Sequence, residues 1–164
     1  MQIPFVAGLI YKNTNEKREF LIQTRWKPQD DPVYSGTIEF PAGVLDIEYE
    51  SVFDAVAREI HEETGLTLKS FIGNDKTEIM TSNGNDAVIG FRPFCCIQQL
   101  KSGKPWVGFI FLCEVNDGPF TPQTEEVRNI RWIPELELKN LFACNKNSFF
   151  GLELPAWEYY FRTK

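Results

Sequence analysis

Apolar and β-branched residues fall into short runs separated by polar turns, the pattern of a chain built largely of strands. Near the start, IPFVAGLIY and REFLIQTRW flank the polar KNTNEK and predict two strands joined by a turn. The segment KPQDDPVYSG then predicts a loop, and TIEF predicts a short strand that ends at Pro41. Further strands are predicted in DAVIGFRPFCCIQQL, WVGFIFLCEV and VRNIRWI.

Two segments have helical spacing instead. The first is predicted to begin at Ser51, because Ser51 and Asp54 resemble a capping box, and to end at Gly65. Its apolar face consists of Phe53, Val56, Ala57, Ile60 and Thr64. The second helix is predicted from Pro155, since proline is well tolerated at the first helical position.

These elements predict an α+β or α/β fold in which a mixed β-sheet packs between helices. The chain has 164 residues, which suits one domain over residues 1–164 with a core large enough to be stable without disulfides or metals. The segments contain no internal repeat and no low-complexity linker.

Three glutamates occupy the arc beside the apolar face of the first helix. Glu59 and Glu63 are like charges four positions apart, and Glu62 lies beside them near the helix C-terminus, which favours cations. Each conflict costs from a few tenths to about 1 kcal/mol. That cost is tolerable if the carboxylates bind Mg²⁺, which prefers oxygen ligands. The alternative is a solvated acidic face.

Composition narrows the classes of function. The net charge is -6, which disfavours a surface for polymeric nucleic acid because such binding depends on Lys and Arg neutralising phosphates. No apolar run is long enough for a membrane span and no secretory signal is recognisable, so we expect a cytoplasmic protein with no membrane partner. The four cysteines contain no C-x-x-C pair, and we expect reduced, mostly buried thiols.

A longer pattern surrounds the glutamates. Gly43 is followed by six residues, Glu50, seven residues and then REIHEETGL, from Arg58 to Leu66. This closely resembles the Nudix box of the Nudix hydrolase family, G-x5-E-x7-R-E-U-x-E-E-x-G-U, where U is aliphatic. One additional residue between Gly43 and Glu50 departs from the pattern and changes the loop. The resemblance implies a Nudix-like α-β-α sandwich with a mixed sheet.

The resemblance also implies an activity, the Mg²⁺-dependent hydrolysis of a pyrophosphate bond in a nucleoside diphosphate linked to another moiety, with Mn²⁺ as a substitute. The metal ligands would be the Gly43 carbonyl, Glu59, Glu62 and Glu63, with Glu62 and Glu63 central to catalysis. Arg58 would orient a carboxylate, and Glu50 would support the box through hydrogen bonds. For Arg58 and Gly43, an ordinary surface ion pair and a simple turn are the alternatives.

Residues outside the box complete the expected site. Glu125 or Glu126 would serve as a further acid, with Glu126 slightly favoured, although a solvated loop pair is equally compatible with the sequence. Arg25 and Lys27 would contact phosphates. An aromatic ring, Phe5, Trp26 or Trp106, would stack on a base, although core packing is the more common role for any one of them. His61, the only histidine, is expected on the surface.

The substrate stays open at this point. The segment EFPAG resembles that of the family's ADP-ribose and nucleotide-sugar pyrophosphatases, whereas the compact chain suits the family's (d)NTP-cleaving members equally well. A non-catalytic Nudix-like nucleotide sensor is the competing class of protein. The intact carboxylates argue against it, because a pure binding module has no need of their mutual repulsion. The partner is expected to be a small nucleotide, and a homodimer is one option for the assembly.

Overall fold

The computed structural model describes residues 1–73 and 75–163. Over these residues the strands are β1 (Ile3–Thr14), β2 (Lys17–Arg25), β3 (Ile38–Glu39), β4 (Ala42–Val44), β5 (Leu68–Phe71), β6 (Asp75–Lys76), β7 (Phe91–Arg92), β8 (Cys95–Gln98), β9 (Trp106–Val115) and β10 (Val127–Pro134). The helices are α1 (Val52–Thr64), α2 (Glu135–Cys144) and α3 (Leu154–Thr163). Two short 3-10 turns, Lys146–Ser148 and Gly151–Glu153, connect α2 to α3.

The main sheet is mixed, as predicted. Its order is β10-β2-β1-β9-β5, with β3 paired to β2, β4 to β1 and β8 to β9. The β1–β9 pair is parallel, and the other pairs of this sheet are antiparallel. Strands β6 and β7 form a separate two-stranded ribbon.

Alternation along β2 divides the core into two layers, because successive residues of a strand point to opposite faces. Phe20 and Ile22 pack with Trp157 in the layer that holds α2 and α3. Leu21, between them, packs with Ile60 in the layer that holds α1. The sheet is therefore covered on both faces, and the α-β-α sandwich is confirmed.

Strands β1 and β2 pair only near their turn, through Tyr11–Thr14 and Lys17–Phe20. Farther along, β2 pairs with β3, so that Gln23 lies opposite Glu39. At the same level β1 pairs with β4, so that Val6 lies opposite Gly43. The β3–β4 segment therefore enters between the two long strands, directly below α1.

Several boundaries differ from the sequence prediction. Helix α2 was not predicted, because its opening Glu-Leu-Glu-Leu alternates with the period of a strand. Helix α3 begins at Leu154, one residue before the predicted start. Most of DAVIGFRPF lies outside strands apart from the Met80–Val88 bridge and β7. All four cysteines are free thiols, but the prediction that most are buried is wrong, because Cys96 and Cys144 are exposed.

Within the described residues, none of the helices is both long and apolar enough to cross a bilayer.

Candidate active site

Helix α1 is held at both ends, as its sequence predicts. The Ser51 side chain accepts a hydrogen bond from the Asp54 N–H at 3.1 Å, and Gly65 closes the helix with φ of 78°. The loop after β9 satisfies the last carbonyls, because Thr121 N–H donates to Thr64 O at 2.9 Å and Gln123 N–H donates to Glu62 O at 2.7 Å. This loop leads into β10 and thereby fixes the segment that carries Glu125 and Glu126 beside the helix.

Glu63 lies in the interior, with 7% of its surface exposed. Its Oε2 accepts hydrogen bonds from Gln23 Nε2 at 2.8 Å and from the Ala42 N–H at 3.2 Å. Burial, together with the nearby charge of Glu39, raises the pKa of the Glu63 carboxyl well above its usual value. None of the salt bridges in the described part of the chain involves Glu63. A solvated acidic face is therefore excluded at this position.

Glu59 is also buried, at 9% exposure, and it lies against Gly43 of β4. A Cβ on Gly43 would lie 1.9 Å from the Glu59 carboxyl carbon, so any side chain at this position would force the Glu59 carboxylate to move. Burial raises the pKa of Glu59, and the neighbouring Arg58 acts in the opposite direction. The first residue of the box, Gly43, therefore lies with its backbone directly beside the carboxylate of Glu59 in α1.

Arg58 connects three carboxylates of the box. Its Nε and Nη2 donate to both oxygens of Glu50, at 2.8 and 3.0 Å, and Nη1 donates to Glu59. The same Nη1 lies 3.7 Å from an oxygen of Glu62, whose side chain is 44% exposed. The hydrogen bonds that Arg58 donates to Glu50 are the largest contribution that raises the pKa of Arg58, so the guanidinium stays charged. Arg58 therefore has the contacts expected of a residue that orients carboxylates.

Two further buried acids, Glu39 and Glu153, lie near Glu63. Glu39 is 3% exposed, and its carboxylate accepts from Arg25 Nη1 at 3.1 Å. Glu153, fully buried just before α3, accepts from the Phe40 N–H at 2.9 Å. Burial raises the pKa of Glu39, and it raises the pKa of Glu153 well above its usual value. We did not predict roles for Glu39, Glu153 or Gln23, although the strand alternation that places Leu21 toward α1 places Gln23 there as well.

The three predicted substrate-binding residues lie in different surroundings. The Arg25 guanidinium contacts Asp31 at 2.9 Å and Glu39, and it covers the Phe150 ring at 4.4 Å. Lys27 Nζ lies 2.6 Å from a Glu126 oxygen. Phe5 is 4% exposed, and its ring fills the space beside Gly108. We therefore assign Phe5 a core role and not base stacking.

The predicted acids outside the box lie at the entrance to β10. Glu125 and Glu126 are both exposed, and the Glu126 carbonyl accepts from the Trp26 N–H at 2.7 Å. Glu126 is thus tied to the end of β2 through its backbone and through Lys27. His61 is exposed, as expected, and its Nε2 lies 3.2 Å from Gln123 Nε2.

The donor chemistry fits a hard divalent cation. The Gly43 backbone, Glu59, Glu62 and Glu63 offer oxygen ligands, and the missing Cβ of Gly43 leaves its peptide accessible beside Glu59. The described residues contain no three acidic, histidine or cysteine side chains already grouped as a preformed metal cage. The fit therefore rests on the oxygen donors and on the buried charge of Glu59 and Glu63.

Comparison with known proteins identifies the fold. The family model described as NUDIX domain matches residues 4–150, whereas no curated protein sequence matches the chain. A NUDIX hydrolase from Nitrosomonas europaea is 19% identical, with 100% of this chain and 91% of that chain covered and a TM-score of 0.64. A C. elegans Ap4A hydrolase in a binary complex is 17% identical, with coverages of 98% and 96% and a TM-score of 0.59. The NUDIX domain of Shewanella oneidensis NrtR, complexed with ADP ribose, is 13% identical, with coverages of 85% and 77% and a TM-score of 0.59. At these identities the solved structures support the fold alone.

The raised pKa of Glu63 predicts how stability depends on pH in the absence of divalent ions. An acid whose pKa is raised by folding contributes its full stability below the unfolded pKa of about 4.3, and that contribution is lost as the pH rises through the folded pKa. In EDTA, the contribution of Glu63 to the free energy of unfolding should therefore fall as the pH rises above about 4.3 toward the raised pKa of Glu63. Glu63→Gln should reduce this fall, measured by urea unfolding at several pH values. The exposed Glu78→Gln is the control, and equal pH slopes for parent and Glu63→Gln would contradict the prediction.

Proposed function

Because this chain belongs to the NUDIX family of hydrolases, we propose that it hydrolyses a pyrophosphate bond in a nucleoside diphosphate linked to another moiety, and that it requires Mg²⁺. Mn²⁺ is expected to substitute, since it accepts the same oxygen ligands. The family supports the reaction class, and the carboxylates of α1 with the neighbouring Gly43 backbone support the choice of ion and ligands.

The observation that carries the proposal is the burial of Glu63 without a basic partner in the described part of the chain. Burying a carboxylate is costly unless it is paired or coordinates a metal. Glu39, which also lies nearby, has Arg25 as its partner, whereas among the described residues Glu63 accepts hydrogen bonds only from the N–H groups of Gln23 and Ala42. If residue 63 had only a structural role, a neutral glutamine would avoid the cost of burying a charge. A cation is the compensation that this carboxylate lacks.

The residues of the box would have two different roles, metal binding and orientation of the ligands. Glu59, Glu62, Glu63 and the Gly43 carbonyl would hold the ion, while Glu50 holds Arg58 and Arg58 holds Glu59 in place. When bound, Mg²⁺ would supply neutralisation of the pyrophosphate oxygens and a lower pKa for the attacking water. Glu59 and Glu63 are shielded from solvent, and charge interactions in a buried site are stronger than in water.

Glu126 is the preferred candidate for the acid that accepts the proton of the attacking water. Its carboxylate is held by Lys27, and its backbone is tied to Trp26, whereas no polar contact fixes the Glu125 side chain among the described residues. The same Lys27 ammonium would offer a positive charge to an incoming phosphate group. A phosphate bound there would compete with Glu126 for Lys27 and would release the carboxylate toward the reacting water.

The substrate class includes ADP-ribose, nucleotide sugars and (d)NTPs. The NrtR domain that shares this fold binds ADP ribose, and another neighbour is named an Ap4A hydrolase, so dinucleoside polyphosphates belong in the same test. The competing proposal is a nucleotide-binding module without turnover.

A chromatographic screen of ADP-ribose, nucleotide sugars, dinucleoside polyphosphates and (d)NTPs tests the proposal. We expect phosphate-containing products with Mg²⁺ or Mn²⁺, none in excess EDTA, and a rate that rises toward alkaline pH because the attacking water must lose a proton. Glu63→Gln should lower turnover by about 100-fold or more, since it removes a metal ligand. Nucleotide binding without products would favour the binding module, and full activity in EDTA would rule out the metal-dependent mechanism.

The assignment of the outer acid is tested by two neighbouring variants. Glu126→Gln should lower kcat by about 10²-fold or more, the usual range for general base catalysis, whereas Glu125→Gln should change it little. Because Glu126→Gln also frees Lys27, Lys27→Met is measured in parallel to separate loss of the ion pair from loss of the base. Near-normal kcat for both glutamine variants would place the base elsewhere.

A further inference from the structure

Gln23 is the polar side chain that joins the buried acids Glu63 and Glu39. It is fully buried on β2, on the face that looks toward α1. Its Nε2 donates to Glu63 Oε2 at 2.8 Å and to Glu39 Oε1 at 3.3 Å. The two N–H bonds of one amide are therefore directed at two different carboxylates.

The orientation of this amide is determined by the carboxylates. Turning it over would place the amide oxygen against Glu63 and Glu39, where both neighbours can only accept hydrogen bonds when ionised. The present orientation leaves Gln23 Oε1 buried and without a partner among the described residues. An unsatisfied buried oxygen is unfavourable, so the two donated hydrogen bonds outweigh it.

The consequence for Glu63 is an asymmetry between its two oxygens. Oε2 accepts from both Gln23 and the Ala42 N–H, whereas no hydrogen bond from a described residue reaches Oε1. Ala42 lies beside Gly43, the residue whose backbone approaches Glu59. The carboxylate is thus anchored by one oxygen on the side of the β3–β4 segment, and the other oxygen is available.

We infer that Gln23 is a positioning residue for the metal site, which fixes Glu63 through Oε2 so that Oε1 is presented to a divalent cation, and which separates Glu63 from Glu39. This inference rests on the proposed function, because it assigns Glu63 to an ion. Residues that orient metal ligands in this way typically contribute 10- to 100-fold to metal affinity. Arg25 then belongs to the same support, since it fixes the Glu39 carboxylate that shares the amide.

Binding of Mn²⁺ to the substrate-free protein, followed by the electron paramagnetic resonance signal of the free ion, tests the inference without relying on activity. Gln23→Leu and Gln23→Met remove the donors at similar volume, and each should raise the Kd for Mn²⁺ by about 10- to 100-fold. Gln99→Leu is the matched control, because the Gln99 amide donates to two carbonyls in the β8–β9 turn, and its Kd should match that of the parent.

A double-mutant cycle separates positioning from a general loss of structure. In the Glu63→Gln background, Gln23→Met should change the Kd by less than about threefold, because Gln23 acts through Glu63. An equal loss in both backgrounds, or a parental Kd for both Gln23 variants, would overturn the inference while leaving the proposed function intact. Failure of the parent itself to bind Mn²⁺ would overturn both.

Discussion

The structure depends on one costly arrangement, the burial of the Glu63 carboxylate between the helix that carries it and the β3–β4 segment. Burial of a charge without a counterion disfavours the folded state, and Glu39 lies close enough to add repulsion. Two neutral donors, the Gln23 amide and the Ala42 N–H, partly compensate. Neutral donors cannot cancel a full charge, and this is the physical basis for the cation proposed at this site.

The surrounding elements keep the arrangement in place. Strands β1 and β2 separate after their turn, and β3 and β4 occupy the gap, which brings Glu39 and Gly43 below α1. Above them, the loop after β9 satisfies the last carbonyls of the helix, and a Cβ at Gly65 would lie 2.1 Å from Thr121 Oγ1. The helix therefore cannot turn its glutamates toward solvent without breaking contacts at both its side and its end.

Local sequence was sufficient for the parts of the site that one segment defines. The cap at Ser51 and the stop at Gly65 follow from residues a few positions apart, and so does the placement of Glu59 and Glu63 on one side of the helix. The positions of Glu39 and Glu153 could not be predicted in this way. Glu39 meets Gln23 only through the register of β2 with β3, and Glu153 reaches the Phe40 N–H from the far end of the chain. Phe5 was a candidate for base stacking in the sequence, but its ring is buried beside Gly108 of β9, a contact that depends on the pairing of β1 with β9.

The most direct test of this account is the shift in melting temperature that Mg²⁺ produces in the parent and in Glu63→Gln. A ligand that binds the folded state stabilises it by RT ln(1 + L/Kd), where L is the free ligand concentration, so at the same Mg²⁺ concentration a variant with weaker affinity must be stabilised less. The account predicts that Glu63→Gln melts above the parent in EDTA, and that saturating Mg²⁺ raises the parent more than the variant. A variant that melts lower in EDTA and gains as much from Mg²⁺ as the parent would show that Glu63 is a structural residue and not a ligand.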